Sequence, residues 1–284
     1  MTDAWFENAI ESDGIDGEGC RRSEAMTLKS YLRDEIAVNQ ASQQLAQPTE
    51  NCAFPGDPLI YLWGVLQDAM VELPGSAAKI VPLLLEMQKR SDMQLRENQR
   101  EGALSDRQWA LWRDLPGFAN LWYDMHWWYY SSHWRVELER FDKQETVANI
   151  SRIATADALL AVYGILGERA KAEGLARLAD SLEDESAVLR LEMPIVKEWL
   201  LNAGDMLFEM CKAESRHCLL GNSAELKQKS IGRTRRELWK GESGPSLARC
   251  QFWEQRLGHI EQDIGVEEKT RDAARVSLRV MEQR

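Results

Sequence analysis

The sequence predicts an all-α protein, a single domain of about nine to ten helices in orthogonal or bundle-like packing. Three observations carry this. Apolar residues recur at three- and four-residue intervals through most of the chain, with no stretch of strand-type alternation. Proline and glycine fall beside capping residues, so the breaks separate helical segments. The most apolar runs, 59–73 and 80–87, are short and punctuated, which leaves no stretch of the ~18 apolar residues that a membrane span needs.

Taken in order, residues 1–24 form an acidic arm with six acids and no Lys or Arg before Arg21. That composition lacks the basic and apolar regions of a secretory leader. The helical domain is expected over 25–284. Its first helix covers 25–44, and Pro55-Gly56-Asp57-Pro58 then breaks the chain. Asp57 is placed as N-cap and Pro58 at the first helical position of a helix that runs to Leu73. Pro74-Gly75 ends it, Ser76 is placed to cap the next, and Pro82 about a turn later predicts a kink or a late start. Ser105 with Gln108 makes a capping box for a helix carrying Trp109 and Trp112. Leu115-Pro116-Gly117 turns the chain into a ring-rich helix. Helically spaced apolar residues continue from 135 to 174, and breaks at Gly174, Pro194, Gly221 and Gly244-Pro245 delimit helices over 175–191, 195–219, 224–239 and 246–282.

The formal charge of −11 argues against nucleic-acid binding, which needs a concentrated basic surface. The basic run over 227–240 reads as a solvated helix face. Five cysteines without a CxxC pair fit reduced thiols and a cytoplasmic protein. Nucleotide loops, HExxH and GxSxG are absent, so no cofactor is expected. Asp180, Glu183, Asp184 and Glu185, followed by Asn202, Asp205 and Glu209, lie where a magnesium-dependent terpene cyclase would carry acids. They match neither of its motifs, so a solvated helix end is the first reading and an atypical magnesium-dependent terpene cyclase a minor alternative.

Between Trp109 and Trp134 stand six of eleven tryptophans, three of six tyrosines and two of four histidines. At helical spacing Trp122, His126, Tyr129 and His133 form one stripe, and Tyr123, Trp127, Tyr130 and Trp134 a second beside it. Such a helix either fills a core or walls a pocket for an apolar, partly oxygenated small molecule. In the pocket reading His126 or Asp124 is the general acid or base, and His126, Tyr129 or Tyr130 a hydrogen-bond donor. Trp122, Trp127, His133, Tyr61, Trp63 and Arg135 line the site, although Arg135 is equally placed to pair with Glu139 at i+4.

The segments AFPGDPLIYLWGVLQDAM, WALWRDLPGFANLWYDMHWW, ANISRIATADALLAVYGILGERA and IVKEWLLNAGDMLFEMC together resemble a family of fungal helical proteins defined as a domain of unknown function, over 54–211. The most specific piece is W-x-x-L-P-x-F, formed by Trp112, Leu115, Pro116 and Phe118. The resemblance implies a fold and, through similar cofactor-free helical proteins of tropolone–sesquiterpenoid pathways, a hetero-Diels–Alderase of secondary metabolism. It carries over no catalytic residue. The reaction expected from it is a pericyclase step joining a quinone methide to an apolar olefin to give a meroterpenoid, for which holding the reactants face to face suffices. The rival expectation is a non-catalytic interaction or regulatory protein. Oligomeric state is left open, a homodimer included.

Overall fold

The computed structural model describes residues 3–10, 19–52, 56–90, 94–96, 108–126, 129, 143–214 and 237–284. Among them are eleven helices: α1 (Asp3–Asn8), α2 (Arg22–Leu32), α3 (Val38–Glu50), α4 (Gly56–Glu72), α5 (Ala77–Gln88), α6 (Phe118–Met125), α7 (Lys143–Val162), α8 (Glu168–Leu182), α9 (Leu189–Lys212), α10 (Leu247–Gln262) and α11 (Glu268–Glu282). The protein is all-α, as its periodicity predicts. One small antiparallel pair, β1 (Gln94–Arg96) and β2 (Gln108–Ala110), was not expected. Leu95 lies opposite Trp109, and the Asp114 carboxylate accepts the Ala110 N–H at 2.9 Å. That local bond closes a turn where the capping-box reading had placed a helix. The chain divides into two compact units, Met1–Trp127 and Trp128–Arg284, and the last but one of the predicted helices, over 224–239, lies mostly outside the described residues.

In the first unit α3 packs against α2, α4 and α5, and α4 also against α6. The single helix expected over 25–44 is two. Asp34 adopts a left-handed backbone with φ 61°, and Lys79 donates to the Leu32 carbonyl at 2.8 Å and to Asp34 at 2.6 Å. A lysine from α5 thus satisfies the open end of α2, which local sequence could not reveal. Ser76 stands at the N-cap position of α5, as expected, but its side chain makes no capping bond to that helix. Its buried hydroxyl instead reaches back to the carbonyls of Ala69 and Leu73, at 2.7 Å to the latter. Pro82 lies inside α5 without delaying its start.

The W-x-x-L-P-x-F block organises this unit's core. Trp112, Leu115 and Phe118 are buried, with Trp63 edge-on to Trp112 and Phe118 at centroid distances of 6.3 and 5.5 Å. One helical turn apart on α4, Trp63 donates its indole N–H to the Pro116 carbonyl (2.8 Å) and Gln67 its amide to the Phe118 carbonyl (2.9 Å). Buried backbone oxygens are thereby paired across about fifty residues of sequence. Arg90 grips Glu50 with two bonds of 3.0 Å, and the Trp112 indole shares the same carboxylate.

In the second unit α9 is central and packs against α7, α8, α10 and α11. Gly174, read as a break, lies inside α8, and Pro194, read likewise, inside α9. At Gly174 a β-carbon would stand 2.5 Å from Cζ3 of Trp199, so the glycine is there for close helix approach and not to end a helix. The actual ends are set by other contacts. Asp184 takes the Ser186 N–H and hydroxyl, and Glu192 the Val188 N–H. The helix expected over 246–282 divides at Asp263, whose carboxylate accepts the Gly265 N–H at 2.8 Å, an Asp side-chain turn over Asp263-Ile264-Gly265 that helical periodicity had masked.

Candidate functional site

Helices of the second unit, chiefly α9 and α10 with α8 and α11 beside them, line a concavity of about 320 Å³. From α9 come Leu200, Gly204 and Leu207, at i, i+4 and i+7; from α10 Leu247, Cys250 and Glu254, at the same kind of spacing; from α11 Met281. Phe208, Leu178 and Trp253 add apolar lining. The polar groups are Gln251, Glu254, Glu282 and Arg284. Gly204 lets the Arg284 guanidinium lie close against α9: a β-carbon there would stand 2.9 Å from the guanidinium carbon. The guanidinium is held by Asp205 at 2.7 Å through Nε and by the Val280 carbonyl through Nη1.

Beneath this surface lies a fully buried ion pair. Arg249 donates to both oxygens of Glu183 at 2.6 and 2.7 Å, and the Trp253 indole donates to the same carboxylate at 2.7 Å. Arg249 also donates to the Gly244 carbonyl, and its guanidinium stands 5.6 Å from the Trp239 ring centre. Glu183 and Asp184 are therefore interior groups, which corrects the reading of that acidic cluster as a solvated helix end. Of the second acidic stretch, Asp205 pairs with Arg284 and Glu209 with Lys212. Among the described residues no three His, Cys, Asp or Glu side chains converge as a metal would need.

Of the residues predicted from the ring-rich stretch, the described ones, Trp122, Asp124, His126 and Tyr129, are not among those lining this concavity. Helix α6 ends at Met125 with His126 as its C-cap, so Trp122 and Tyr129 do not share one continuous helix. Trp122 is fully buried, and His126 lies edge-on to it at 4.3 Å. Apolar surroundings push the imidazole's pKa down to about 4, which keeps it neutral, and its Nε2 has no hydrogen-bond partner among the described residues. Asp124 is on the exposed face of α6. Tyr61 is 41% exposed whereas Trp63 is buried; two positions apart on α4 they point about 200° from one another and share no cavity.

Tyr129 belongs to the second unit and is fully buried there. The Arg177 guanidinium stands 4.2 Å from its ring centre and donates to its carbonyl at 3.0 Å. Burial raises the phenol's pKa, opposed by the Arg177 charge and the Trp199 indole N–H and reinforced by Asp157. Tyr129 is thus a neutral phenol in a charged core cluster. Trp127, Tyr130, His133 and Arg135 lie outside the described residues. Sequence reading missed the α9–α11 concavity; its only signal was Gly204 in the middle of an apolar helix.

Fold and site define a helical protein whose second unit carries an apolar concavity. The model of the family described as "Protein of unknown function (DUF3632)" matches residues 63–257, and the chain belongs to that family. No curated protein and no solved structure matches it. No described helix is long and apolar enough to cross a membrane.

Proposed function

We propose that the protein binds one small apolar molecule in the concavity lined by α9, α10 and α11. The observation that carries this is the concavity itself: about 320 Å³ lies at the lower end of the volumes of ligand sites, and its mix of Leu, Phe, Trp and Met with a few polar groups is their usual lining. At ~30 Å³ per water-sized volume it accommodates roughly ten non-hydrogen atoms.

A cofactor-free pericyclic closure is the finer form of this reading. Apolar walls orient a reactant, and the Gln251 amide or an N–H of Arg284 would steady charge gathering on an oxygen. The volume suits a reactant of tropolone size, so admitting a sesquiterpene and joining a quinone methide to it would need further room. The rival reading, a protein-interaction module, draws on the adjacent exposed residues Ile60 (54%) and Tyr61 on α4.

Calorimetric titration with a tropolone and with a humulene-type sesquiterpene alcohol, followed by mass analysis of the incubated mixtures, tests both forms. Binding that Leu207→Trp abolishes supports the cavity, and conversion supports the closure. Absence of binding by either compound, with a protein partner recovered through Ile60 and Tyr61, favours the interaction module.

A further inference from the structure

The charges around the concavity are unequal in their availability. Arg284, the one cation among the described residues that line it, is already engaged: Nε by Asp205, Nη1 by the Val280 carbonyl. Two carboxylates, Glu254 and Glu282, line the same space. Glu254 is half-buried, projects from the apolar stripe of α10, and forms no ion pair among the described residues. A carboxylate at the wall of an apolar hollow offers a counter-charge to a cation that enters it. The Trp253 and Phe208 rings that line the same space favour a positive charge over their faces as well.

We infer that the ligand of this concavity is a cationic amphiphile: an apolar body seated on Leu200, Leu207 and Met281, with a protonated amine directed to Glu254. This rests on the cavity reading above and narrows it to a ligand class. An alkyl amine is protonated at neutral pH, as a lysine is, whereas an alcohol of equal length offers Glu254 only a neutral donor and a carboxylate would be repelled.

The test uses decylamine, 1-decanol and decanoate below their aggregation thresholds, on the full chain and on Glu254→Gln. Affinity is read by calorimetry. Occupancy is read by the alkylation rate of Cys250, which lines the hollow, identified by peptide mass spectrometry. Decylamine should bind about tenfold tighter than the alcohol, as one partly desolvated charge contact implies. It should slow Cys250 alkylation, and Glu254→Gln should erase its advantage while leaving the alcohol unchanged. Equal protection by amine and alcohol, or a preference that survives Glu254→Gln, overturns the cationic assignment and leaves the cavity standing. Amine binding without Cys250 protection marks adhesion to the acidic surface and overturns it too. Protection by none of the three compounds removes the cavity reading itself.

Discussion

Glu183 and Arg249 form an ion pair with no solvent exposure on either side chain, and the Trp253 indole donates to the same carboxylate. The pair ties the end of α8 to the first turn of α10, and the Glu183 carbonyl also accepts the Leu238 N–H at 2.8 Å. Desolvating two charges offsets most of their attraction, so the pair's net contribution is small while its halves are interdependent.

Removing one partner should therefore cost far more than removing both. Arg249→Met alone is expected to destabilise the protein by about 3–5 kcal/mol, because it strands the Glu183 carboxylate. The double variant Glu183→Leu/Arg249→Met should recover a large part of that loss. Urea unfolding of the two variants and the parent gives the comparison, and equal losses in both would contradict it.

Gly174→Ala should be damaging although alanine is the better helix former. The added carbon meets Trp199 ring atoms at 2.5 and 2.7 Å, and overpacking of this kind costs about 1–3 kcal/mol against ~1 kcal/mol of helix propensity gained. Pairing it with Trp199→Leu, which vacates the space, should reduce the coupling penalty. Thermal melts of the four corners of the cycle measure it.

His126 should make the first unit sensitive to mild acid. Its pKa falls from 6.5 to about 4 on burial, so folding favours the neutral ring. The stabilisation is complete above pH 6.5 and is lost as the pH falls through that value toward 4. By pH 5 the loss is about 2 kcal/mol from this group, by linkage between those two values. His126→Phe should flatten that part of the profile relative to the parent, as urea midpoints at pH 7 and pH 5 would report.

Asp68 should act in the opposite direction. Partial burial, with the Glu72 charge adding to it, lifts its pKa from 3.8 to about 6. Folding then favours the protonated acid, so its contribution is most favourable below pH 3.8 and declines as the pH rises through 6. Asp68→Asn is expected to raise the melting temperature at pH 7 and to leave it unchanged near pH 3.5, where both side chains are neutral.

Periodicity made the helical class legible, because burial of one face per helix leaves its mark every three or four residues. Boundaries were legible only where the terminating signal was local. Ser246, whose hydroxyl accepts the Arg249 N–H, begins α10 where its capping chemistry says. The end of α2 depends on Lys79 and the role of Gly174 on Trp199, both distant in sequence, and neither could be read from neighbouring residues. The ring-rich stretch drew attention away from the α9–α11 concavity for a related reason. Trp122 and Tyr129 are large and so dominate a composition, but they are buried as packing, whereas the α9–α11 concavity is made of leucines spread over three segments, which look like any amphipathic face.

The Ser76 hydroxyl, lying on the last carbonyls of α4 while its own carbonyl accepts the Lys79 and Ile80 N–H groups of α5, joins two helix ends that would otherwise fray separately. Opening either end exposes the other, so the corner loses its amide protection as one cooperative step and resists local unfolding as though α4 and α5 were a single bent rod.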